Sequence, residues 1–241
     1  MIYNPYPKVE LPFGKDNKWF VYLFNSIFRV DRSFIVYDIE DVDEVGASKV
    51  IGTKSHLERV FAYELYRQWM NLLDEQGVRN LIVNGEVRKI LKEQFDNGEN
   101  SNSGIDDKDV FPDLVLHQSQ GSDNLQIMVC EIKREEGLDS TGNNLFADLH
   151  KLSCYINDDL FWKKPFSYGV FILEGKDANL NKLKIKSGTR TKFKEKDISI
   201  EEFKNNEQIK RIVCLSYDGI NLNYKTLDKL IDTIIVDEIN N

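Results

Sequence analysis

The chain has 241 residues, 41% of them hydrophobic and 11% aromatic, with a formal net charge of −8. That composition supports a sizeable core and excludes a chain disordered throughout, while the acidic total argues against indiscriminate, tight binding to phosphate backbones. No apolar run approaches the roughly 18 residues that a membrane-spanning helix requires.

Residues 1–17 carry three of the five prolines and read as an irregular lead-in. The N-terminus lacks the basic and apolar regions of a signal peptide. Cys130, Cys154 and Cys214 are odd in number, well separated and set in apolar segments, as expected of reduced core thiols in a cytoplasmic protein. From Trp19 to Ile39 the chain is aromatic and β-branched, which predicts two strands, with an acidic turn over Glu40–Glu44. With no long Gly/Ser/Pro linker after it, residues 1–50 read as an N-terminal β-rich elaboration on a single fold spanning 51–241.

Gly46 to Ser55 superficially suggests a phosphate-binding loop, but Thr53 separates Gly52 from Lys54 and the glycine spacing is wrong. Ser55 instead begins a helix reaching about Gln76. Ser55 and Glu58 form a capping-box pattern, and Leu57, Val60, Phe61, Leu65, Trp69, Leu72 and Leu73 form the apolar stripe. Glu64 falls inside that stripe and Glu58 at its edge, so either could face a functional site or simply cap and snorkel. Val78–Val87 reads as the first core strand, with Glu86 and Arg88 on one face, and 96–109 as a polar, glycine-bearing loop.

The stretch from Phe111 to Glu135 organises the rest of the chain. Residues 113–117 and 125–133 are apolar, β-rich runs joined by a turn-prone polar segment, the pattern of a hairpin. Alternation puts Asp113 with Val115 and His117 on one face of the first strand, and Glu131 and Lys133 with Val129 on one face of the second. If the two pair, two carboxylates and an ammonium converge, a site suited to a hard cation.

After a polar loop over 135–143, Leu145, Leu149, Leu152 and Ile156 mark a helix over 144–157, with Asp148, Lys151 and Tyr155 along one flank of the stripe. That flank is either solvated or turned towards the site. Phe166–Leu173 reads as a buried central strand, 211–217 as another strand, and Leu227–Ile239 as a terminal amphipathic helix. Between Lys176 and Lys196 eight basic residues stand against Asp177 and Glu195. The alternation in 182–186 and 190–194 predicts a hairpin with one basic face, either an electrostatic ribbon for a phosphate backbone or an edge hairpin protected by lysines. His150 and Cys154 lie four apart on a helix, but the chain has no Cys-x-x-Cys, so a zinc site is not inferred. There is no Gly-x-Ser-x-Gly elbow either.

Pro112-Asp113 followed by Glu131-Ile132-Lys133 resembles the PD-(D/E)XK nuclease superfamily, and in particular small bacterial members in which a Pro-Asp-apolar-His strand leads into an acidic-x-Lys strand. The resemblance spans roughly residues 55–173. It implies an α/β, restriction-endonuclease-like mixed central sheet flanked by helices, and Mg²⁺- or Mn²⁺-dependent hydrolysis of phosphodiester bonds in nucleic acid, DNA rather than RNA. It further implies that Asp113, Glu131 and the Ile132 carbonyl hold the metal and that Lys133 positions or deprotonates the attacking water. Glu58 would complete the acidic cluster, with Glu86 and Arg88 similarly placed. Lys151, Lys182, Lys184, Lys186, Arg190, Lys192 and Lys194 are the residues expected to meet nucleic acid. Enzymes of this type often work as homodimers, although no dimer face is legible. The alternatives are a non-catalytic nuclease-like module binding nucleic acid or a protein, and an interaction protein docking through its N-terminal aromatics.

Overall fold

A computed structural model describes residues 11–14, 17–35, 54–85, 112–118, 125–157, 165–193 and 196–237, with side chains in the 54–75 helix from Glu58 onwards. Residues 36–50, Glu86, Arg88, the 96–109 loop, Lys194 and the side chain of Ser55 lie outside the described residues.

The first helix among the described residues is α1 (Lys18–Phe28), followed by a single 3-10 turn over Arg32–Phe34. This corrects the first of the two strands expected over Trp19–Ile39, which is helical; most of the second lies outside the described residues. Phe20 to Ile27 are buried without interruption, and an apolar stretch that is inside on every side shows neither a helical stripe nor a strand alternation. Length decides instead, since the 11 residues of α1 exceed a typical strand. The Ser26 hydroxyl satisfies itself within the helix by donating to the Tyr22 carbonyl at 2.8 Å. Phe20, Tyr22 and Phe24 of that segment, which could have formed a docking surface, fill the protein's own core. Phe20, Phe24 and Ile27 share one apolar cluster with Phe61, Leu65 and Trp69 of α2 (Lys54–Glu75) and with one face of the sheet.

Among the described residues that sheet has six strands. In chain order they are β1 (Leu81–Gly85), β2 (Leu114–Gln118), β3 (Gln126–Arg134), β4 (Tyr168–Glu174), and, after the short β5 (Ile185–Lys186), β6 (Arg190–Phe193) and β7 (Lys196–Ser199), the last two, β8 (Ile212–Tyr217) and β9 (Leu222–Thr226). The spatial order is β1-β2-β3-β4-β8-β9. The β3–β4 and β4–β8 pairs are parallel and the others antiparallel. The two central parallel partners, β4 and β8, read as unbroken apolar runs because both of their faces are covered.

Helix α3 (Asn143–Tyr155) bridges the parallel strands β3 and β4 and packs on the sheet face opposite α1 and α2. There Leu145, Leu149 and Leu152 join Val115, Val129 and Phe171, together with the short α4 (Ile200–Lys204) and α5 (Leu227–Ile234). The result is a mixed sheet between two helical layers. The terminal helix stops at Ile234, earlier than its pattern predicts, and Ile235–Val236 form β10 beside β5.

The basic segment also pairs differently from expectation. β5 runs parallel to β10, and β6 forms its hairpin with β7, from Arg190↔Ser199 to Phe193↔Lys196. Alternation identified the faces correctly, with Leu183 and Ile185 inside and Lys182, Lys184 and Lys186 outside. It carries no information about which neighbour supplies the ladder hydrogen bonds.

Candidate active site

The antiparallel β2–β3 register sets Leu114 opposite Cys130 and Val115 opposite Val129. Asp113 therefore enters the ladder across from Glu131, on the face shared with Val115 and Val129, whereas Leu114, Cys130 and Ile132 point into the α1–α2 core. One Asp113 oxygen, Oδ2, accepts the Ile132 backbone N–H at 2.7 Å. Ile132 thus meets Asp113 through its amide; its carbonyl was the group expected at a metal.

Four further side chains close around this pair. Glu58, on the first turns of α2, accepts the Arg134 backbone N–H at 3.1 Å and lies 3.9 Å from the Lys133 ammonium. Lys133 is 3.3 Å from Asp148. Lys151, one turn along α3, is 2.9 Å from the other Asp148 oxygen and 3.3 Å from Glu131 Oε2. Glu131 is only 4% exposed, and its Oε1 has no hydrogen-bond partner. A continuous chain of charge runs Glu131–Lys151–Asp148–Lys133–Glu58, with Asp113 beside Glu131. Glu64 is elsewhere, held by Arg67 and Gln68 on its own helix, so the ambiguity between the two helix glutamates resolves to Glu58.

Burial, more than neighbouring charge, sets the electrostatics of the two acids. Burial lifts Glu131 well above the ordinary carboxylate range, Lys151 pulls it back, and Asp113 and Asp148 push it up again. Burial likewise raises Asp113 to about 6, against the pull of the Ile132 amide and Lys151. For Lys133, burial favours the neutral amine, but Asp148 and Glu58 outweigh it and hold the group above its usual value. Lys133 is consequently an ammonium at neutral pH. The Tyr155 hydroxyl is pushed up mainly by burial and then by Glu131 and Asp113, which places it against the same cluster.

No family model, curated protein or solved structure matches this chain.

Of the residues expected at the site, Asp113, Glu131, Lys133 and Glu58 come together. Among the described residues no three Asp, Glu, His or Cys side chains are grouped to hold a metal ion, so a cation here would rest on the Asp113–Glu131 pair, with water and phosphate oxygens completing its shell. Mg²⁺ commonly binds in that manner, through one or two carboxylates. The orphaned Glu131 Oε1 and the excess of carboxylates over ammonium groups fit such an ion.

Lys151, expected to meet nucleic acid, has its ammonium between two carboxylates. Asp148 lies on the helix flank that the sequence left either solvated or turned towards the site, and its contacts with Lys133 and Lys151 turn that flank towards the site. Of the basic segment, Lys182 pairs with Glu135, and Arg190 with Asp197 and Glu202, all at the surface. The segment is tied to the loop before α3 by the Lys186 N–H donating to the Thr141 carbonyl at 3.2 Å.

A cleft of about 420 Å³ lies on the outer flank of α3, away from the charged cluster, and includes His150, Ser153, Cys154 and Lys196. Burial lowers His150 and raises Cys154 to about 11, so the two do not form a thiolate–imidazolium pair. The Cys154 sulfur is 3.9 Å from both ring nitrogens.

Proposed function

We propose that this protein is a metal-dependent phosphodiesterase of the PD-(D/E)XK type with a restriction-endonuclease-like fold, acting on nucleic acid and on DNA in particular. The observation that carries the proposal is the convergence of Asp113, Glu131 and Lys133 from two adjacent antiparallel strands, with Glu58 delivered from α2. A chance Pro-Asp and a chance Glu-x-Lys on unrelated surfaces would give neither this register nor the shared ion-pair chain.

In this reading Asp113 and Glu131 hold a Mg²⁺ or Mn²⁺ ion, which when bound supplies Lewis-acid polarisation of the scissile phosphate and a more acidic water. The Ile132 amide holds one Asp113 oxygen, Oδ2, and the other would be left for the ion. Lys133 is fully charged and braced by Asp148 and Glu58. It acts as a hydrogen-bond donor that orients the attacking water and meets charge developing on phosphoryl oxygens; removing the proton from that water falls to another group or to the phosphate. Glu58 also caps the Arg134 amide, which fixes the end of β3 and hence the Lys133 backbone.

The test is cleavage of single- and double-stranded DNA and RNA with Mg²⁺ or Mn²⁺, comparing the native chain with Asp113→Ala and Lys133→Ala. Cleavage should require the metal and fall by roughly 100-fold or more in each variant. Undiminished cleavage in both variants ends the mechanism. One observation favours the rival, a non-catalytic module of the same architecture: both lysines of the cluster already neutralise carboxylates. Silence in all three proteins, with nucleic-acid binding retained, would establish that rival.

A further inference from the structure

Lys151 sits where a cation is wanted. Its ammonium is 3.3 Å from Glu131 Oε2 and 2.9 Å from Asp148 Oδ1, while the remaining Glu131 oxygen is buried and unpartnered. With all six groups ionised, the cluster holds four carboxylates (Glu58, Asp113, Glu131 and Asp148) and two ammonium groups. A divalent ion would balance the remaining charge, but it would have to take the Glu131 carboxylate that Lys151 contacts.

We propose that Lys151 is a built-in counter-ion that occupies the Glu131 carboxylate until a divalent metal displaces it, with Asp148 retaining the ammonium throughout the exchange. This rests on the metal-centre reading above. Three features make displacement inexpensive. Lys151 gives up one of two ion pairs, because the Asp148 contact is within its own helix, at i and i+3, and survives a change of side-chain rotamer. Its four-carbon stem is flexible, and its side chain is 28% exposed, so it has a route outward. Lys133 holds the second Asp148 oxygen, so Asp148 stays in place while Lys151 turns. Without this internal cation, Glu131 would be a buried carboxylate beside Asp113 with no opposite charge in contact, which is costly. The consequence is a centre that tolerates the metal-free state and binds its metal more weakly than its donor set alone would.

The experiment is Mn²⁺ binding to the full chain, followed by electron paramagnetic resonance and calorimetry, for the native protein, Lys151→Met, Lys151→Gln and Lys151→Met/Glu131→Gln. Both single variants should bind Mn²⁺ at least tenfold more tightly than the native chain, and the double variant should lose that gain. Equal or weaker binding in both single variants overturns the proposal while leaving the metal centre intact, provided that the native chain binds. A gain that persists without the Glu131 carboxylate also overturns it, since general charge removal would then suffice. Absence of Mn²⁺ binding in every protein removes both the proposal and the metal-centre reading. Should neither single variant fold, the native chain reads the same competition: the Lys151 side-chain ammonium resonance should shift on Mg²⁺ addition, and an unmoved signal during saturable binding overturns displacement.

Discussion

Glu174 ends the central strand β4 in register with Arg134 on one side and Tyr217 on the other, and it is completely buried. Neither carboxyl oxygen has a hydrogen-bond partner, and the nearest Arg134 nitrogen is 3.5 Å from Oε1. Arg134 is shared, bonding also to the Ile35 carbonyl and to Glu136. Burial therefore outweighs the attraction of Arg134, Glu136 and Glu58 add repulsion, and the group rises from 4.5 to about 8. The ion-pair geometry alone would suggest an ionised carboxylate; the missing hydrogen bonds and complete burial favour the protonated form at pH 7.

That upward shift sets the sign of the pH dependence. An unfolded chain releases this proton near 4.5 and the native chain only near pH 8, so the associated stability is fully present below pH 4.5 and is lost as pH rises through the native value. Each pH unit in that window costs about 1.4 kcal/mol, or about 4 kcal/mol across most of it. Glu174→Gln replaces the protonated acid by a neutral group of the same shape and removes the dependence. Urea unfolding at pH 5, 6, 7 and 8 should show the variant within about 1 kcal/mol of the native protein at pH 5 and exceeding it by about 4 kcal/mol at pH 8. Taking the difference between the two proteins cancels the parallel contributions of Asp113 and Glu131. A stability difference that stays constant with pH, or that shrinks as pH rises, would refute the assignment of a protonated Glu174.

Three further outcomes are expected. Trp69 is fully buried in α2 between α1 and the sheet, so Trp69→Ala should cost about 3–5 kcal/mol in urea unfolding; a loss below about 1 kcal/mol would mean that this layer is not closely packed. Gly142 precedes α3 with φ of 74°, and a Cβ there would collide with the Lys184 carbonyl oxygen. Gly142→Ala should therefore destabilise by about 2 kcal/mol or more, read as a lowered Tm, and an unchanged Tm would show that β5 does not lie against this turn. A Cβ on Gly137 would lie 2.7 Å from Glu58 Oε1, the end of a side chain able to move. Gly137→Ala should fold normally yet displace Glu58 and reduce Mg²⁺-dependent cleavage by roughly tenfold, whereas full activity would remove Glu58 from the site.

Much of the middle of the chain was legible because local pattern and burial agree there. Alternation along 113–117 and 125–133 put Asp113, Glu131 and Lys133 on matching faces, and the observed register joins them. The 3.6-residue stripe of 144–157 placed Asp148, Lys151 and Tyr155 on one flank, although whether that flank met solvent or the cluster depended on how α3 settles on β3 and β4. The ends of the chain were less legible. α1 is buried on every side from Phe20 to Ile27, so no solvent-facing polar stripe marks it as a helix. The basic strands show a clean alternation whose ladder partners, β10 and β7, come from segments that alternation does not point to.

The sequence by itself determined which side chains share a face, because periods of 2 and 3.6 are properties of the backbone alone. Only the tertiary structure decided that Glu58 rather than Glu64 joins the cluster, that Lys151 is held by two carboxylates, and that Glu131 and Glu174 are buried with oxygens left unpaired. Those are distances and solvent exposures between segments remote in the chain. They arise from packing three elements over one end of a sheet, which no local window of sequence encodes.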